Sequence, residues 1–285
     1  MFKSFNLFWK NLKKRWAYGV LSAIVAVGIT LTYQSPSYSF GLQDILRGVQ
    51  IIQLSTLSDR QEVAIGEQID RQLIDSGRIR IYRNRQLNRY VNSIGQELAR
   101  SSDRPDIPYT FQIVDDNSVN AFATMGGFVY VNTGLMKLAD NEAELAGVIA
   151  HEIGHVAGRH AVKQMRERAI TQGALSAAGL DRSTAVQLGV QLAVGLPHSR
   201  GDEFDADNRG LRTLARSGYA PIGLVDFMRK LEAAGGRSRP SFLSTHPASG
   251  DRVVAMQQQL DRDRANVGRG LDDRAYQNII RRYLR

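Results

Sequence analysis

The chain has 285 residues, 43% of them hydrophobic and 23% charged, with no cysteine and a formal net charge of +9. This balance excludes a wholly disordered chain and allows one large domain or two small ones. The absence of cysteine excludes disulfides and thiolate metal sites, so any metal must be held by imidazole and carboxylate. Lys3, Lys10, Lys13, Lys14 and Arg15 lie in the first 39 residues with no acid among them, which leaves +4 for the remainder. Basic residues interleaved with acids there describe a solvated surface, not a nucleic-acid footprint.

In chain order, the first segment reads as a targeting signal. A basic stretch ends at Arg15 and an apolar run follows from Trp16 to Tyr33, long for a signal peptide and at the lower limit of about 18 residues for a membrane span. Ser37-Tyr38-Ser39 is a weak small-x-small cleavage site. Residues 1–39 are therefore expected to be a signal peptide or a membrane anchor. Either places the rest of the chain outside the cytoplasm, in the periplasm or facing it, with the membrane as a partner if the segment is retained. Residues 40–58 are expected to form a linker helix.

Val63, Ala64, Ile69 and Leu73 recur at helical spacing, as do Leu87, Tyr90, Val91, Ile94 and Leu98, predicting helices over 59–73 and 84–98. Pro105 and Pro108 close a loop. Residues 109–114, 119–124 and 128–131 read as three strands, the last two separated by Met125-Gly126-Gly127. Everything after Thr133 reads as helical: 141–165, 169–196, 201–217, 221–234, 251–261 and 275–283. Asp181 and Arg182 argue against a second membrane span in the Ala/Gly-rich stretch 169–196. That stretch either packs on its neighbours or forms a lid. The expected fold class is α+β, mostly helical, with a small sheet, organised as a main domain over 59–262 and a helical extension over 263–285.

One helix carries His151-Glu152-Ile153-Gly154-His155. Imidazoles four residues apart share a face and can reach one tetrahedral metal ion. Glu152, beside the first ligand, is placed for a general base, and Gly154 would keep the helix surface low near the substrate. His160, nine residues from His151, falls on the opposite face of a continuous helix. A third ligand must come from His198, Glu203, Asp205, Asp207 or His246. Glu203 and Asp207 share a helix face, which suits a ligand and a carboxylate that orients an imidazole; an acidic helix start explains the charge equally well but not the spacing.

Residues 120–123 (Asn-Ala-Phe-Ala), 126–131 (Gly-Gly-Phe-Val-Tyr-Val), 133–135, 144–155, 199–210 and Thr245-His246-Pro247 together resemble the gluzincin metallopeptidases of family forty-eight, which include HtpX-like, Oma-like and CAAX prenyl proteases. The resemblance runs from about Asp59 to Leu260. It implies a zincin fold and one Zn²⁺ per chain, held by His151, His155 and Glu203. It implies Glu152 as catalytic base and Asp207 as the outer carboxylate. It also implies a role for His246, as oxyanion donor or as a ligand that gates the metal; His198 could also plug the site. Asp205 stands where glutamate is commoner in the family. The multi-span layout of the HtpX and CAAX members is missing, which points to the soluble envelope members.

The expected activity is hydrolysis of misfolded or damaged envelope polypeptides by a metalloendopeptidase. Gly126, Gly127, Phe128 and Val129 are expected to form a sheet edge to which extended substrate adds; a plain hairpin turn is the structural alternative. The competing function is a non-catalytic, zinc-containing, chaperone-like binder of unfolded chains, which would have no use for Glu152.

Overall fold

The computed structural model describes residues 51–173, 179–234, 240–247, 250–260 and 265–284. The expected leader, residues 1–39, and residues 40–50 of the expected linker helix lie outside them. The remainder of that linker is not helical: Ile51–Ile52 form a short strand, β1, paired antiparallel with β5, Leu180–Asp181. Among the described residues no helix is long and apolar enough to cross a membrane.

Helix α1 (Asp59–Asp75) starts where the Ser58 side chain accepts from the Gln61 N–H and Gln61 reaches back to the Ser58 N–H, satisfying two of the donors that a helix start leaves open. Helix α2 (Arg85–Arg100) is capped by Asn84 and buries Leu87, Val91, Ile94 and Leu98. Then come β2 (Thr110–Val114), β3 (Ala121–Ala123), a 3₁₀ turn over Met125–Gly127 and β4 (Phe128–Asn132). The strand order is β2-β4-β3, with β2 parallel and β3 antiparallel to β4.

This order corrects the expected substrate edge. Phe128 and Val129 lie on the central strand, with Phe111 of β2 opposite Val129 on one side and Ala123 opposite it on the other. Gly126 and Gly127 turn into it with positive φ of 75° and 90°. All four residues are buried. A central strand has no free main-chain groups for another chain. The edge open to pairing on the β3 side belongs to β3 itself.

Helix α3 (Thr133–Leu138) leads into α4 (Glu142–Ala157), capped by Asn141, in which every residue from Ala143 to Ala157 is buried. A helix apolar on nearly all sides is the centre of its fold. It packs against α2, the sheet, α7 (Arg200–Ser217) and α8 (Ile222–Ala234). Gly154 makes the α4–α7 approach possible: a Cβ there would stand 2.7 Å from the Ala206 carbonyl oxygen. Its function is close helix packing, not the low substrate-facing surface expected from the sequence.

The predicted helix 141–165 is broken. Arg159 takes a left-handed conformation, φ 55°, and the chain restarts as α5 (His160–Thr171). Helix α6 (Arg182–Gly195) follows β5. A short α9 (Phe242–Thr245), α10 (Gly250–Gln259) and α11 (Asp273–Tyr283) complete the fold. The apolar side chains form two clusters. The larger joins α2, the sheet, α4, α7, α8 and α11, the last through Tyr276 and Ile280. The smaller joins α1, α5 and α6 through Ile69, Met165 and Leu188.

Candidate metal centre

Helix α4 places His151 and His155 one turn apart, and α7 crosses it so that Glu203 faces both. Ligand atoms of His151, His155, Glu203 and His246 all lie within 4.8 Å of one another. The Nε2 atoms of His151 and His155 are 3.1 Å apart. Glu203 Oε1 is 3.3 Å from His155 Nε2 and 3.1 Å from His246 Nδ1. Each of the four is at most 3% exposed. So many lone pairs brought together out of water is unfavourable without a cation among them, and three imidazoles with one carboxylate make a donor set that fits zinc.

Charge is distributed accordingly. Burial holds the His155 imidazole well below its usual value. Burial also pushes Glu203 upward, but the charge on His246 and hydrogen bonds from His155 and His246 outweigh it, so the carboxyl stays well below its ordinary range. For His246 burial opposes protonation, yet the Glu203 and Glu152 carboxylates raise it. Glu152 is fully buried, and burial raises its pKa. Neither of its oxygens has a hydrogen-bond donor among the described residues, and His246 Nε2 stands 3.5 Å away. A carboxyl raised in this way is a better proton carrier than one at its ordinary value.

Asp207 Oδ1 lies 3.0 Å from His151 Nδ1, where the outer carboxylate was expected. Arg252 is the residue the sequence did not reveal. Its Nε and Nη2 each donate to Asp207 at 2.7 Å, its Nη1 stands 2.6 Å from Glu203 Oε2, and it is 1% exposed. Burial pushes Asp207 up, but the hydrogen bonds and charge of Arg252, together with the neighbouring His151, outweigh it and hold the carboxyl below its ordinary range. The available signal was an arginine beside Val253 and four residues before Met256 on an otherwise amphipathic helix, six residues after His246.

The His198 ring lies against His155, tilted by 31° with centroids 4.0 Å apart, and its main-chain N–H donates to the Thr245 carbonyl at 2.9 Å. Burial and the His246 charge push its imidazole down to about 3. His160 is not among the metal-facing groups, as expected, but it is not on the far side either: its Nδ1 is 2.9 Å from His155 Nδ1. A cavity of about 20 Å³ lies beside the site, its walls including Ala123, Thr124, Gln164, Leu192, His198 and His246, room for about one water. Gly126, Gly127, Phe128 and Val129 do not line it.

The profile of Peptidase family M48 matches residues 85–260. The chain is 32% identical over 227 residues to a beta-barrel assembly-enhancing protease of Yersinia pestis, covering 74% of this chain and 46% of that one. It is 29% identical over 280 residues to the Escherichia coli K12 protein of the same name, covering 93% and 56%. With metalloprotease LoiP of Escherichia coli K12 it shares 30% identity over 225 residues, covering 76% and 87%. The chain thus spans about half the length of the first two relatives.

Proposed function

The chain belongs to peptidase family M48, and on that premise we propose that it is a zinc-dependent endopeptidase acting on envelope polypeptides. The observation that carries the proposal is the convergence of His151, His155, Glu203 and His246 beside a buried Glu152 whose oxygens meet no hydrogen-bond donor among the described residues. His151, His155 and Glu203 would hold the ion, one per chain. When bound, zinc supplies Lewis-acid polarisation and makes a water acidic enough to attack a carbonyl. Glu152 takes a proton from the attacking water and passes it to the leaving amine, a task its burial-raised pKa favours. Asp207, fixed by Arg252, orients the His151 ring and holds its proton on Nδ1.

His246 lies within reach of both Glu203 and Glu152. In this arrangement it could serve as a fourth ligand; moved aside, its imidazole would be a donor for the developing oxyanion. With the site buried, polypeptide enters only when the cover of α6 and the 240–247 segment is displaced. Substrate then pairs with the free edge of β3, whose Ala123 borders the cavity. Envelope substrates are inferred from the names of the first two relatives and from the leader-like residues 1–39. Glu152 favours catalysis over a metal-holding binder, which has no use for a base there. The test is zinc content and casein hydrolysis by the full chain beside Glu152→Gln. About one zinc per chain in both, with hydrolysis lost in the variant, is the expected result. No zinc in the wild type, or hydrolysis undiminished in the variant, would refute the proposal.

A further inference from the structure

A histidine that binds metal through Nε2 must carry its proton on Nδ1, and a buried N–H needs an acceptor. For His151 a carboxylate is at hand, Asp207 Oδ1, 3.0 Å from Nδ1. Among the described residues no carboxylate stands in the same relation to His155. Its Nδ1 instead faces His160 Nδ1 at 2.9 Å, and both rings are at most 4% exposed. A ring nitrogen accepts only if its proton is on the other nitrogen. His160 Nε2 lies 3.2 Å from Asp205 Oδ2, which holds the proton there. Asp205 is itself gripped by Arg209 Nε at 2.7 Å.

We propose that His160 and Asp205 are positioning residues for the metal: the relay His155–His160–Asp205 fixes the tautomer and ring orientation of His155, as Asp207 does directly for His151. This rests on the zinc reading above.

Helix geometry explains why a relay is used. On α7, Asp207 comes back to the face of Glu203 after four residues, whereas Asp205, two residues on, points about 200° away. It faces the start of α5, not the cluster of donor atoms, and the ring of His160 bridges the gap. The break at Arg159 supplies that ring by turning His160 back toward His155. Gly158 leaves room for it: a Cβ there would stand 2.3 Å from His160 Nε2 and 2.9 Å from Asp205 Oδ2. Two features without another evident purpose, the left-handed Arg159 and the side-chain-free residue before it, are thus accounted for by one arrangement.

The experiment is zinc affinity of the metal-stripped full chain, measured by competition with a chromophoric chelator, with folding checked by circular dichroism. His160→Phe keeps a ring of similar size but offers no acceptor. His160→Asn gives up the ring but keeps an acceptor near the Nδ1 position. The relay predicts that His160→Phe weakens zinc binding about 10- to 100-fold, while His160→Asn stays within a few-fold of wild type. A role in packing alone predicts the reverse order, and that order would overturn the proposal. Asp205→Ala, at a half-exposed side chain and so compatible with folding, is expected to weaken binding several-fold; unchanged affinity would count equally against the relay. Failure of the wild type to bind zinc would instead overturn the metal reading, and the relay with it.

Discussion

Arg252→Met removes the only cation that touches both Asp207 and Glu203 among the described residues. Three short contacts, two of 2.7 Å and one of 2.6 Å, are lost. The two carboxylates left behind are at most 1% exposed. Removing one partner of a buried ion pair costs about 3–5 kcal/mol, because the other charge stays desolvated. For a chain of this size each kcal/mol moves the melting temperature by about 2–4 °C, so a fall of about 6–20 °C is expected in the metal-free protein. Zinc restores a positive charge beside Glu203, and the deficit should narrow when melting is repeated with zinc. Differential scanning calorimetry with and without chelator reads both quantities. A metal-free melting temperature within about 2 °C of wild type would mean that Arg252 does not neutralise these carboxylates.

Ala123→Pro tests the β3 edge. The Thr124 N–H donates to the Phe128 carbonyl in β4, so by strand alternation the Ala123 N–H points to the free side. The variant should melt near wild type but lose casein hydrolysis several-fold through KM; unchanged KM would refute strand addition there. Gly154→Ala should cost about 1–3 kcal/mol by overpacking and lower zinc occupancy by separating α4 from α7, as thermal melts and metal analysis would show. Asp103 receives Arg216, Arg212 and Arg209, and the Arg216 hydrogen bond leads in holding its carboxyl below the ordinary value. Its contribution is therefore full above the unfolded value near pH 4 and lost as the pH falls through the lower folded value. Asp103→Asn should cost about 1 kcal/mol or less at pH 7, the cluster being partly exposed, and the difference should vanish in melts near pH 2.

The sequence discloses helices and ligands through local spacing. Ser58, Asn84 and Asn141 mark the helix starts they cap, and the four-residue separations of His151 and His155, and of Glu203 and Asp207, bring side chains to the faces where they are found. What escaped depends on contacts between distant segments. Strand order is not written in alternation, so Phe128 and Val129 were assigned to an edge they do not occupy. The break at Arg159 is invisible to periodicity because only the local φ changes, and it moved His160 from the far side of a helix to the side of His155. Arg252 reads as an ordinary surface cation until α10 is docked on α7. Gly154 illustrates the same limit, since its neighbour Ala206 lies on another helix.

The division of the apolar side chains into two clusters bears on how the molecule breathes. The helices that carry His151, His155 and Glu203 are rooted in the larger cluster, whereas α1, α5 and α6 cohere through the smaller. Amide protons of α6 should therefore exchange with solvent deuterium by a sub-global opening that leaves α4 protected, on a free-energy scale set by the smaller cluster alone. The chain can loosen its roof without disturbing the ring of donors beneath.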